Sequence, residues 1–286
     1  MRQCLFVTCC LVLLLPRVGW NAMDCDLIQP LPHGAMNWTK GLLIVNDIVE
    51  PSSSQEAGSV SDADVRSQII HNMFLNLGHI CVDARRSLAD LIDANAEIQD
   101  KLYKITQNAP IQQGDILPDG SVEFAIQLSL FGGFSQLMLP GEIKQVESIK
   151  AVGNSKDKPS GAVGSKEAVK DPADDVYTGL IIDARGLRVQ PALVPSVADE
   201  NNVEVYGAAF VSREFAVQQG LCGYVRSLDK ADQRRVGQRP LSVKGLRMAQ
   251  EGYCNIVISN SDADTLRSAS AHLEFLKQCR VVIHLD

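Results

Sequence analysis

The chain has 286 residues and sets 27 Lys and Arg against 34 Asp and Glu, a formal charge of −7. That length holds one large domain or two ordinary ones with ample core. The acidic balance argues against a nucleic-acid binder, whose phosphate contacts need a basic excess, and an aromatic content of 5% leaves few stacking platforms for bases or sugars.

The N-terminus reads MRQCLFVTCCLVLLLPRVGWNA, a short basic start and an apolar run from Cys4 to Leu15, closed by Pro16 and Arg17. The run is too short to span a bilayer as a helix and has the length of a signal-peptide core, so residues 1–22 are read as an export signal. Trp20 stands where a small residue is expected before cleavage, and neither Cys9, Cys10 nor Cys25 follows a lipoprotein box; retention of the segment as an anchor is the alternative. Of eight cysteines, those beyond the signal are Cys25, Cys81, Cys222, Cys254 and Cys279. They show no CxxC or paired Cys/His spacing, which speaks against zinc. Pairing among Cys222, Cys254 and Cys279 is open in an oxidising compartment.

After a proline-containing lead, Gly41–Val49 reads as a strand ended by Pro51. From Ser61 to Asn95 there is no proline, and Val65, Ile69, Ile70, Met73, Phe74, Leu77, Ile80, Cys81, Ala84, Leu88, Leu91 and Ile92 recur at spacings of three and four. That stripe predicts one helix of about nine turns, started by Ser61 and Asp64. Ile98–Gln107 and Ile111–Leu117 read as strand pieces split by Pro110. Ser121–Leu130 alternates apolar and polar residues and is the clearest strand, preceded by the turn pair Asp119-Gly120. The order β-α-β-β predicts a long helix packed on a curved antiparallel sheet. Residues 147–175 are rich in Gly, Ser, Lys, Asp and Pro and read as a flexible linker.

Beyond the linker, residues 176–286 read as a mixed α/β domain. Leu180–Ile182, PALVPSV and VEVYGAAFV are extended, SREFAVQQG is a short helix, and a second helix is expected over Asp229–Val236. LSVKGLRM and CNIVIS follow as strands. CNIVIS, a helix from Asp262 to Cys279 with Leu266, Ala269, Leu273 and Leu276 inward and Asn260 or Ser261 as cap, and RVVIHLD predict a terminal β-α-β unit. The fold class is α+β.

No Gly-x-Ser-x-Gly elbow, dinucleotide fingerprint or phosphate loop is present, and no catalytic residue, cofactor site or metal site is assigned. His71 and His79 are eight apart, too far to share one ion on a helix. Asp183 and Arg185 follow a hydrophobic strand and read first as a local ion pair fixing the Gly186 turn; with Glu214 they are also the charged set of an alternative, a periplasmic ligand-binding or catalytic pocket. Arg226, Lys230 and Arg234 fall at helical spacing, and with Arg235 they form a basic candidate face for an anionic lipid, a cell-wall polymer or an acidic neighbouring subunit.

The runs DARRSLADLI (Asp83–Ile92), DGSVEFAIQLSL (Asp119–Leu130), VYTGLIIDARG and EVYGAAFVSRE resemble bacterial outer-membrane-associated proteins of the LPP family, related to the flagellar P and T accessory proteins. The resemblance covers about Trp38–Leu139, within a module placed at residues 38–146, and the later segments look like an extra domain of longer relatives. It implies a helix embraced by a three-stranded sheet and a non-enzymatic envelope protein, in the periplasm or at the outer-membrane periphery. Its partners would be envelope or flagellar-motor proteins or further copies of itself, with no nucleic acid and no cofactor. The lipobox cysteine of many relatives is absent.

Overall fold

The computed structural model describes residues 26–50, 62–141, 143, 176–227, 233–249 and 252–286. The expected signal, the cap at Ser61, Cys25, Lys230 and the linker at 147–175 lie outside them. The fold is α+β. Its first layer is a five-stranded antiparallel sheet of β1 (Ile28–Leu31), β2 (Gly34–Asn37), β3 (Leu42–Val49), β4 (Ile111–Ile116) and β5 (Val122–Ser129), in the order β1-β2-β3-β5-β4. The proline-containing lead, read as irregular, is the hairpin β1–β2. Its tight turn needs glycine at position 34, where φ is +134° and a Cβ would lie 2.1 Å from the Ile44 carbonyl oxygen.

Helix α1 (Asp62–Leu77) packs on this sheet through the buried Val65, Ile69, Ile70, Met73 and Leu77. Two buried asparagines fix its register. Asn72 donates to Asp47 at 2.7 Å, and Asn76 both accepts from the His33 N–H and donates to its carbonyl, at 3.1 and 3.0 Å, which satisfies the hairpin turn. The single long helix predicted over Ser61–Asn95 is not formed. After Gly78 the chain extends so that Ile80 and Val82 are fully buried while Cys81 is half-buried, an alternation of two that was hidden inside a run of apolar residues. A turn closed by Asp83 and Arg86 follows. Ser87 and Asp90 then make a reciprocal capping box that starts α2 (Leu88–Asp93), and Asn95 caps α3 (Ala96–Gln107). The strand predicted over Ile98–Gln107 is therefore a helix: Asn95 accepts from the Glu97 amide, Lys101 pairs with Glu97 one turn on, and Leu102 and Thr106 point inward. A short α4 (Gly133–Met138) follows β5.

The C-terminal part contains two four-stranded sheets. One is all parallel, joining β6 (Gly179–Asp183), β9 (Gly223–Val225), β10 (Pro240–Lys244) and β13 (Val281–His284) in the order β10-β6-β13-β9. The other is mixed, with β7 (Val197–Ala198), β8 (Glu204–Tyr206), β11 (Arg247–Met248) and β12 (Ile256–Val257) in the order β11-β12-β7-β8. Helices α5 (Arg213–Gln219), α6 (Gln233–Val236), α7 (Asn260–Arg267) and α8 (Ser270–Lys277) complete it. The predicted terminal β-α-β unit is replaced by a link between sheets, since β12 pairs with β7 and β11 while β13 pairs with β6 and β9. Its helix is broken at Ser268–Ala269. Ser259 is the cap of α7, Leu266, Phe275 and Leu276 are buried, and Leu273 is exposed.

One apolar core runs through both parts, from Met36, Leu43 and Ile126 to Leu180, Tyr206 and Ile283. The seam is also hydrogen-bonded. Leu193 and Val194 donate to the carbonyls of Cys81 and Val82 at 3.0 and 2.7 Å. The Thr39 hydroxyl donates to the Tyr224 carbonyl at 2.8 Å and Trp38 meets the Tyr224 ring edge-on at 5.6 Å, while within the C-terminal part the buried Tyr224 hydroxyl accepts from the Ala192 N–H and donates to its carbonyl. Arg213 reaches across to the carbonyls of Gln136, Leu139, Pro140 and Ile143, closing the C-terminal end of α4 with a cation where the helix dipole is negative.

Candidate functional site

Strands β6 and β13 run parallel and end together at Asp183 and His284. The ground beyond the carboxyl ends of parallel strands is where open α/β sheets receive ligands, and here it opens into a cleft of about 410 Å³ against the first sheet. Leu27, Ile28, Gln29 and Trp38 form one wall, Ala184, Leu285 and Asp286 the floor, and Arg188–Pro191 the other wall, with Cys81 between them. Trp38, Leu27, Ala184 and Leu285 are buried, so the interior is apolar. The polar groups are held in fixed roles. Trp38 Nε1 donates to Gln29 Oε1 at 2.8 Å, the Cys81 thiol faces Gln190 Oε1 at 3.8 Å, and Asp286 accepts from the Gly186 N–H at 2.7 Å. Arg188 stands exposed at the rim, with a backbone φ of +56°.

Of the charged set read from the sequence, Asp183, Arg185 and Glu214, none lines the cleft. Asp183 accepts from Arg185 Nε and Nη2 at 2.9 and 2.7 Å, the local pair expected after the strand. Hydrogen bonds from the Arg185 guanidinium hold its carboxyl down at about 2, against the desolvation that opposes them. His284, beside Asp183 in register, sends Nε2 to the Arg226 carbonyl at 3.1 Å, and its Nδ1 is buried without a partner among the described residues. Glu214 is exposed on the first turn of α5 and does not line the cleft.

The basic candidates are dispersed. Arg226 follows β9 and lies on no helix, so the helical spacing to Arg234 does not make a common face. Arg234 is exposed on α6, a helix described only over its four residues Gln233–Val236. Arg235 turns inward and donates to the carbonyls of Cys279, Gln219 and Gly220 at 3.0, 2.8 and 2.7 Å, gathering the ends of α5 and α8 on one guanidinium. Beside it the thiols of Cys222 and Cys279 are free and buried, and burial pushes them up to about 11 and about 12; Cys254, which interacts with Cys81 and Asp83, is likewise free, buried and pushed up to about 12. Such thiols are protonated at neutral pH and serve as packing groups.

The cleft residues Gln29, Trp38, Arg188 and Gln190 went unseen in the sequence. The one signal available was the loop GLRVQP, which leaves a parallel strand at its carboxyl end; recognising it required knowing that β6 and β13 are neighbours, 100 residues apart by the Gly186–Asp286 contact.

Residues 179–286 match the family model described as Treponema pallidum Tp0624, second domain. The match falls on the part that holds the parallel sheet and the floor of the cleft. No curated protein matches the chain.

Proposed function

We propose that this is an assembly protein of the bacterial cell envelope, exported by its N-terminal segment and acting through protein–protein contacts, with further copies of itself or envelope and flagellar-motor proteins as partners. The observation that carries the proposal is β4. Among the described residues it is the outermost strand of the first sheet, paired to β5 alone, and five of its six residues are exposed. A strand with one bare edge offers its free N–H and C=O groups to another chain, and proteins that stay apart usually guard such edges with charge, proline or a cover. Here the sequence is IQQGDI, with one charge and no proline, and a shift of register between Gln113 and Ile116 interrupts its pairing with β5 without covering the edge. Ile116, 60% exposed on β4 and opposite Val122 in register, adds an apolar side chain at one end of this edge strand. The titratable groups of the C-terminal part support a structural reading, since Asp183 is engaged by Arg185, Arg235 by carbonyls, and the buried thiols are held protonated.

Light scattering on the full chain tests this. The expected result is a concentration-dependent oligomer that Ile116→Lys converts to monomer with little change in thermal stability, because Ile116 is on the surface. A wild-type monomer at all concentrations, with no partner retained on a β4-dependent basis from envelope extracts, would sink the proposal.

A further inference from the structure

We infer that the cleft between the first sheet and the parallel sheet is a binding site for a carboxylate carried on a short apolar body. Its volume, about 410 Å³, lies within the range of small-molecule sites, roughly 300–1,000 Å³. The floor and walls supplied by Leu27, Trp38, Ala184 and Leu285 are apolar and would bury such a body.

The polar groups specify the head. Both glutamines turn their amide oxygen to a protein donor, Gln29 Oε1 accepting from the Trp38 indole N–H and Gln190 Oε1 facing the Cys81 thiol. The amide nitrogens are the less engaged ends: Gln190 Nε2 makes no bond among the described residues, and Gln29 Nε2 makes a single long one of 3.5 Å to the His79 carbonyl. Arg188 adds a guanidinium with no hydrogen bond or ion pair among the described residues. Among the described residues the lining carries one side-chain carboxylate, Asp286, which is engaged by the Gly186 N–H at 2.7 Å. Two amide donors and an unpaired guanidinium around an apolar hollow match a carboxylate, which takes Arg in a forked geometry. The left-handed backbone of Arg188, costly for a non-glycine residue, places this cation on the cleft wall just before Pro191.

This chemistry is shared by the carboxyl end of a peptide and by a short fatty acid, and calorimetry on the full chain separates them. The probes are N-acetyl-leucyl-alanine, the same dipeptide as its C-terminal amide, and hexanoate. We expect the dipeptide acid, hexanoate or both to bind saturably, the amide to bind at least about tenfold more weakly than the acid, and Arg188→Gln to reduce the acids to that level. Binding of the dipeptide acid without hexanoate assigns the site to peptide ends, the reverse to fatty acids. Arg234→Gln, exposed on α6 and not on the cleft lining, should leave binding intact. Equal binding of acid and amide, unchanged binding by Arg188→Gln, or no heat from either acid at millimolar concentration would overturn the inference. Arg188 and Gln190 are exposed, so Gln190→Glu provides a second variant that folds, and it should weaken the acids by charge repulsion.

Discussion

The two large sheets of the molecule solve burial in opposite ways. Strand β5 of the antiparallel sheet alternates, with Val122, Phe124, Ile126 and Leu128 inward and Gln127 and Ser129 exposed, whereas all four residues of β13 in the parallel sheet are buried. A sheet with one wet face can leave an edge strand such as β4 open to solvent. A sheet walled on both faces confines access to the ends of its strands, which is where the cleft lies. The difference separates two kinds of contact on one chain: an edge for another protein, and a hollow for a small group.

Breaking the comparison at its most buried point should cost most. Ile283→Ala, on a fully buried side chain of β13, should lower unfolding stability by about 2–5 kcal/mol in urea titrations, while Gln127→Ala on the outer face of β5 should change it by less than about 0.5 kcal/mol. Similar losses for both would mean that the parallel sheet is not closed on its second face. Next is the clamp between the parts. Arg213→Ala strips four α4-end carbonyls of their shared donor and should cost about 1–3 kcal/mol, with amide exchange accelerating in α4 ahead of β13. Asn76→Ala leaves the His33 amide and carbonyl unpaired on the antiparallel side and should cost about 1–2 kcal/mol.

The smallest effect is at the strand ends. Asp183 has its folded pKa depressed to about 2, against roughly 3.9 in an unfolded chain. Its contribution is therefore present in full above the unfolded value and is lost as pH falls from about 4 towards 2. The pair is partly solvated, its side chains 29% and 51% exposed, so the difference between wild type and Arg185→Gln above pH 4 should not exceed about 1 kcal/mol and should close by about pH 2. A gap that persists below that pH would assign Arg185 a role apart from this pair.

How much could be read beforehand follows from which signals are local. The strands at Gly41–Val49 and Ser121–Leu130 were legible because a two-residue alternation is written in consecutive side chains, and the observed elements, Leu42–Val49 and Val122–Ser129, nearly coincide with them. The stripe from Val65 to Ile92 misled for the complementary reason: a buried extended segment and a helix both present unbroken apolar residues, and Gly78, Ser87 and Asn95 were the punctuation that divided them. The pair Asp183–Arg185 was visible as neighbours in sequence. Arg235 looked like part of a solvated basic face, and only the carbonyls of Gln219, Gly220 and Cys279 converging on it reveal an inward clamp.

What the sequence determined by itself was thus composition, class and the local elements whose periodicity or caps lie within a few residues. Partnership was decided by tertiary structure. Whether CNIVIS and RVVIHLD share a sheet, whether Trp38 meets Tyr224, and whether Arg188 overlooks a hollow floored by Leu285 all depend on packing between segments distant along the chain. Apolar burial drives that packing without direction, and complementary shape and satisfied hydrogen bonds, such as those of Tyr224 on Ala192, select the arrangement.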